Sequence, residues 1–161
     1  ALDRDGQPRP LEACVSKSDL GAIALAHVLK TYNGAMVMLV QNDVLRPWIF
    51  SDLMTSPKNR TMPEIELKTP SIFRIVYTTK LPYHGYVTPN PVNDAFFAAY
   101  HGGMAPTHVT IAPIIHEGQL RGMLMGVSNL EIGYKTSPVR MERLADEIGQ
   151  QLARLEASSA A

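Results

Sequence analysis

The stretch from His108 to Asn129, HVTIAPIIHEGQLRGMLMGVSN, restricts the possible folds more than any other part of the chain. Two strand-like apolar runs, HVTIAPII and LRGMLMGV, flank the short glycine-containing turn HEGQ. Apolar runs separated by so few residues predict an antiparallel hairpin. The fold therefore needs an antiparallel sheet, and the helical segments must pack on it.

The other segments have helical or strand-like patterns. Apolar residues at helical spacing predict a first helix between Leu11 and Tyr32, interrupted near Ser16, and a terminal helix in SPVRMERLADEIGQQLARLEA. GAMVMLV and VLRPWIFS, joined by a short turn, predict a second hairpin. In NPVNDAFFAAYHGG, Asn90 caps a short helix that the glycine pair ends. This order predicts an α+β fold with an antiparallel sheet.

Two middle segments are less regular. MTSPKNRTMPEIELKTP contains three prolines and predicts a mobile loop. SIFRIVYTTK fits a strand by its β-branched and aromatic residues, yet its apolar positions also fit one helix face. We expect residues 1–10 to be a linker or tail, 11–157 a single domain and 158–161 a tail.

Composition excludes several classes of protein. The 161 residues suit one core, and 15 basic against 15 acidic residues give no electrostatic preference for nucleic acid. Cys14 is the only cysteine, which excludes an internal disulfide and thiolate-rich zinc sites. No apolar run approaches the roughly 18–20 residues that cross a bilayer. We expect a cytoplasmic fragment of a longer protein.

The late hairpin resembles the last strands of a GAF domain. In that family, a strand ending in Pro-Ile leads through a short glycine turn into a strand with the pattern GxL. Here these features are Pro113-Ile114, Glu117-Gly118 and the strand at Gly122. TTKLPYHGYV resembles the corner of the same family, where a helix ends and a short strand begins, which implies that SIFRIVYT is helical. PAS-like and profilin-like domains share the architecture. The resemblance implies five to six strands, with the terminal helices on one face and a short helix and loops on the other.

Departures from the family narrow the function that the resemblance implies. The Asn-Lys-Phe-Asp-Glu set of cyclic-nucleotide-binding members is missing, and no cysteine lies beside a histidine in the middle region to hold a bilin. The methionine sulfoxide reductase branch uses several cysteines, and the single cysteine of this chain cannot form the disulfide of that catalytic cycle. The resemblance then implies a sensory or regulatory module of a bacterial signalling protein, attached to further modules.

The histidines have no ligand or catalytic spacing. HExxH and HxH are missing, as are GxSxG, GxGxxG and the P-loop pattern. The sequence therefore predicts no metal, no cofactor and no enzymatic activity.

A ligand pocket is the main functional hypothesis. In the GAF arrangement, the short third strand and the following helix cover one face of the sheet. The predicted pocket residues are Tyr83, His84, Tyr86, Asn93, Phe97, Tyr100 and His108. Aromatic rings with polar tips suit a small organic ligand. The alternative is that Phe96, Phe97 and Tyr100 fill this space as core.

The terminal helix has an apolar stripe formed by Met141, Leu144, Ile148, Leu152 and Leu155. Such spacing packs helices into bundles and predicts a homodimer through the terminal helices, or packing within the chain. The predicted function is a non-catalytic regulatory domain that senses a small molecule or partner and relays it through these helices. The alternative is a scaffold without ligand that serves protein–protein contact or dimerisation only.

Overall fold

The computed structural model describes residues 2–54, 63–100, 106–128 and 138–160. Within these ranges, six strands form one antiparallel sheet in the order β3-β2-β1-β6-β5-β4. The strands are β1 Gly34–Gln41, β2 Val44–Phe50, β3 Ile65–Glu66, β4 Tyr83–Tyr86, β5 His108–His116 and β6 Gln119–Ser128. The α-helices are α1 Lys17–Val28, α2 Ile72–Thr79, α3 Pro91–Tyr100 and α4 Pro138–Ala160. The predicted α+β class is confirmed.

Two tight hairpins account for most of the sheet. Asn42 and Asp43 join β1 to β2 with φ angles of +54° and +62°. Glu117 and Gly118 join β5 to β6 with φ angles of +51° and +79°. Two successive residues with positive φ have the twist that a two-residue hairpin turn requires. Both hairpins expected from the sequence are therefore present.

Pairing of β1 with β6 joins the two hairpins at the centre of the sheet. Gly122 lies opposite Leu39 in this pair. A Cβ atom on Gly122 would lie 2.1 Å from the backbone oxygen of Met38. Since no side chain can occupy that position, glycine is what allows the backbones to approach this closely.

One face of the sheet packs against α1 and α4. The two helices share a core with the inward residues Ala35 and Val37 of β1 and Ala112 and Ile114 of β5, all fully buried. The guanidinium of Arg140, near the start of α4, donates to the backbone oxygen of His27 near the end of α1, so the helices run antiparallel. This agrees with the expected position of the terminal helices.

The other face packs against α2 and α3. Met36, Met38, Met123 and Met125 line the sheet here and are fully buried beneath Phe73, Phe96, Phe97 and Tyr100. Unbranched methionines adapt their shape to the rigid rings above them. The methionines of these strands therefore belong to the core.

The middle of the chain contains one confirmed expectation and one correction. SIFRIVYT forms α2, whose first turn is capped by the Ser71 hydroxyl accepting from the Arg74 amide. The segment expected to be a loop contains β3, whose Ile65 pairs with Leu45 at the sheet edge. Two residues between prolines gave no periodic pattern. Residues 55–62 lie outside the described ranges.

The ends of the chain also differ from expectation. The first helix is a 3-10 turn, Leu11–Ala13, followed by α1, and it ends at Val28 rather than Tyr32. Arg9, in the expected linker, bonds the carboxylate of Asp19 at 3.0 Å, and its backbone oxygen lies 2.7 Å from Nε2 of His27. These contacts hold the end of the expected linker against α1.

The apolar stripe of α4 is buried within the chain itself. Met141, Leu144, Ile148, Leu152 and Leu155 are each 8% exposed or less, covered by α1 and the sheet. This burial agrees with the alternative of packing within the chain, and it leaves these five side chains little surface for a second subunit. The exposed side of α4 carries Arg143, Asp146 and Gln150. Among the described helices, none is long and apolar enough to span a membrane.

Gly122→Ala is expected to destabilise the domain by about 3 kcal/mol, because its Cβ overlaps the β1 backbone and β1 must move away. Gly85→Ala is the matched control, since its Cβ would lie 3.7 Å from the Tyr83 hydroxyl, an ordinary contact. Its effect should stay within about 0.5 kcal/mol. Urea denaturation measures both, and equal losses would refute the role given to Gly122.

Candidate functional site

The sheet separates the residues predicted to form one pocket. Side chains directly opposite each other on neighbouring strands share a face of the sheet. Tyr83 lies opposite Ile111, which belongs to the α2–α3 core. His84 lies opposite Thr110, on the face covered by α1 and α4.

Tyr86 and His108 also lie opposite each other, on the same face as His84. The predicted pocket is therefore wrong as one site: His84, Tyr86 and His108 lie behind the sheet from Tyr83, Asn93, Phe97 and Tyr100. Alternation along β4 puts Tyr83 on one face of the sheet and His84 and Tyr86 on the other. Which face each residue takes depends on the strand register, which the sequence does not reveal.

Phe97 and Tyr100 are core residues. Together with Phe96 they are at most 1% exposed. Ring centroids of Phe96 lie 5.1 Å from Phe97 and 4.8 Å from Tyr100. Burial, with a smaller contribution from Glu64, raises the pKa of Tyr100 to about 12. These rings fill the space that the pocket hypothesis left open, as the alternative of an aromatic plug predicts.

Asn93 lies instead at a groove between α2 and the connection from β4 to α3. The groove has a volume of about 440 Å³ and opens to solvent. Its polar lining residues are Ser71, Thr78, Thr79, Thr88, Asn90 and Asn93, with Arg74 as the only charged group among the described lining residues. A concave surface with a few polar groups is typical of a small-molecule site.

Two asparagines hold the groove in shape. Asn93 is 1% exposed, accepts from the Ile72 amide at 3.2 Å and donates to the Thr88 oxygen at 3.0 Å. Asn90 caps α3 and donates to the Pro70 oxygen at 3.0 Å. These amides already bond the protein, and so does the Thr79 hydroxyl, which donates to the Ile75 oxygen. Arg74 and the hydroxyls of Thr78 and Thr88 are therefore the better candidates for contacts with a ligand. The sequence missed them because α2 was ambiguous.

A second polar cluster lies on the opposite face. The Tyr32 hydroxyl donates to Oγ1 of Thr110 at 2.5 Å, and Nδ1 of His84 lies 2.6 Å from the same oxygen. The ring of His108 packs at 4.3 Å from that of Tyr86, and its buried Nδ1 has no hydrogen-bond partner among the described residues. Burial, and then the charge of His108, lower the pKa of His84.

The other histidines do not join this cluster. His27 bonds the backbone of Arg9, and Nε2 of His116 lies 3.8 Å from the Glu117 carboxylate. His101 lies outside the described residues. Over the part of the chain that the structure describes, no three or more metal-ligating side chains converge.

Comparison with solved structures identifies the fold. A GAF domain of a phosphoenolpyruvate-protein phosphotransferase from Coxiella burnetii matches with a TM-score of 0.70 and 12% identity, over 94% of this chain and 90% of that one. The GAF-B domain of DevS from Mycobacterium smegmatis matches with 0.62 and 14%, over 89% and 99%. A type II free methionine-R-sulfoxide reductase from Thermoplasma acidophilum matches with 0.65 and 14%, over 86% and 93%.

The fold of this chain is that of a GAF domain, as the late hairpin predicted. At 12–14% identity, these structures establish the fold alone. No family model and no curated protein matches the sequence.

Mild acid is expected to destabilise the domain through His84. Its folded-state pKa lies below the 6.5 of the unfolded chain, so the unfolded state binds the proton more readily. The stability due to neutral His84 is therefore complete above the unfolded pKa and is lost as the pH falls through the folded pKa. His84→Gln should flatten the pH dependence of the urea midpoint between about pH 7.5 and 5.5.

His116→Gln is the matched control, because His116 lies at the end of β5, away from this cluster. It should keep the pH dependence of the original protein. If His84→Gln keeps it as well, the assignment to His84 is wrong.

Proposed function

We propose that this chain is a non-catalytic GAF regulatory domain of a larger signalling protein, which binds a small polar molecule in the α2–α3 groove. The observation that carries the proposal is the open groove of about 440 Å³ with Arg74 on its wall. The phosphotransferase domain, itself part of a larger protein, supports attachment to further modules.

The groove is favourably placed for a signal to reach the terminal helices. α2 packs on β5 from one face of the sheet, and α4 packs on β5 from the other. A ligand that binds more tightly to one position of α2 shifts the equilibrium toward that position. Since β5 contacts both helices, a displacement of α2 has a direct route to α4.

The proposal needs no second subunit. The stripe expected to form a dimer interface is covered by α1 and the sheet of the same chain. Homodimerisation, if it accompanies signalling, would have to use other surfaces. The relay assigned to α1 and α4 rests on their packing against each other and on the packing of α4 against β5.

The chemistry of Cys14 supports a non-catalytic role, although one similar structure is a reductase. Cys14 is 2% exposed, and its Sγ lies 3.0 Å from the Arg154 guanidinium, on the side of the sheet away from the groove. A buried thiol remote from the candidate site is poorly placed to attack a substrate there.

Thr78→Trp tests the groove, because Thr78 is an exposed residue of α2 and an indole there would fill the space. Native mass spectrometry of protein purified without denaturation should detect a retained small molecule, and Thr78→Trp should abolish it. Gln150→Trp, at an exposed position of α4, is the matched control and should retain the molecule.

The same measurement separates the proposal from its alternative. A scaffold that serves only protein–protein contact retains no molecule in any of the three proteins. A molecule that persists in Thr78→Trp would place binding elsewhere and would overturn the assignment to this groove.

A further inference from the structure

A second cavity lies on the face of the sheet opposite the groove. It has a volume of about 550 Å³ and is bounded by the start of α1, the end of α4 and strands β1, β2 and β6. Trp48 and Leu39 form part of its apolar wall, and Lys17, Arg121 and Glu156 supply its charges. Neither the fold comparison nor the proposed function involves this cavity.

Two β-bulges place the key side chains there. Between β1 and β2, Val37 pairs with Ile49 and Met38 pairs with Pro47, which leaves Trp48 as an extra residue. A bulge breaks the alternation of faces and redirects the side chain of the extra residue. Trp48 consequently packs against the α1–α4 core beside Ile49 instead of facing α2 and α3.

The second bulge delivers a cation to the same cavity. Between β5 and β6, Ile114 pairs with Gly122 and Ile115 pairs with Leu120, so Arg121 is the extra residue. Its guanidinium lies 2.5 Å from a carboxylate oxygen of Glu156 on α4. β2 therefore has a bulge in its pairing with β1, and β6 has one in its pairing with β5. The extra residue of each bulge lines the same cavity.

Among the described residues that line the cavity, the charges do not balance. Arg121 at 2.5 Å and Lys17 at 3.6 Å share the single carboxylate of Glu156. Lys17 is also the first residue of α1, so the end of the helix dipole that favours anions borders the cavity. The remaining charge is positive and lies next to an indole ring and aliphatic side chains.

We propose that this cavity binds a small organic anion with a flat apolar body, such as an aromatic carboxylate. The ring packs against Trp48 and the aliphatic wall, where removal of apolar surface from water favours binding. The carboxylate bonds Arg121 and Lys17, which then share two anionic groups instead of one. The proposal stands independently of the α2–α3 groove, because the sheet lies between the two sites.

Trp48 gives a direct measurement, since it is the only tryptophan in the chain. Benzoate should change its fluorescence saturably, with a Kd of roughly 0.1–1 mM for so small a ligand. Benzyl alcohol has the same ring without the charge and should bind at least about tenfold more weakly, because it lacks the charge-assisted bond. Equal responses to the two compounds would overturn the anion proposal.

Substitutions of the acidic and the basic residues of the cavity should change benzoate affinity in opposite directions. Glu156→Gln removes the competing carboxylate and should tighten benzoate binding severalfold, whereas Arg121→Met should weaken it about tenfold. Arg46→Met is the matched control, because Arg46 lies on β2 and pairs with Glu64, outside this cavity. If Glu156→Gln and Arg121→Met both leave the Kd unchanged, benzoate binds elsewhere and the proposal is wrong.

Two further variants keep the test decisive. Lys17 is exposed, so Lys17→Met should fold normally and weaken benzoate binding even if Arg121→Met is unstable. Thr78→Trp fills the α2–α3 groove and should leave the benzoate response intact when followed by calorimetry. If Thr78→Trp loses the benzoate response, benzoate binds in the α2–α3 groove and the second site is rejected. That result would leave the proposed function of the groove standing.

Discussion

The fold depends on the backbone contact between β1 and β6, which turns two local hairpins into one sheet. Each hairpin is specified by its own two-residue turn, but a hairpin alone leaves both faces open to water. Gly122 permits β6 to lie against β1 where a side chain would meet the Met38 oxygen. Once the sheet is continuous, α1 and α4 cover one face and α2 and α3 the other, and both faces become core.

The two candidate sites arise from separate features of the sheet and its helices. At one of them, the bulges at Trp48, between β1 and β2, and at Arg121, between β5 and β6, place their extra residues on the wall of the cavity beneath α4. The groove on the opposite face has a different origin, since it lies where Asn93 ties α2 to the segment before α3.

Local signals in the sequence predicted much of the fold. The turns at Asn42 and Glu117, the Asn90 cap and the apolar spacing of α4 act over a few residues, and each was recognisable. β3 was missed because Ile65 and Glu66 form a strand only through pairing with β2. The helical state of α2 rested on resemblance, because its β-branched residues favour either structure.

The candidate site was less predictable, because it depends on register. His84 and Tyr83 are neighbours in sequence and lie on opposite faces of the sheet, so a one-residue uncertainty exchanges their environments. Bulges are harder still, since an inserted residue such as Arg121 leaves no periodic signal in a short strand. Burial of Phe97 and Tyr100 was the alternative to a pocket wall, and only the packed rings of α3 decide between them.

The antiparallel pairing of α1 and α4 has a mechanical consequence. The guanidinium of Arg154 bonds the Cys14 oxygen at 2.8 Å, so the start of one helix and the end of the other lie together at one end of the domain. Tension applied between the start of α1 and the end of α4 would load the contacts between the two helices one after another, beginning at that end of the domain. Strands loaded in shear resist together, whereas the contacts of this helix pair would break in sequence, and the sheet face that the helices cover would be exposed from that end.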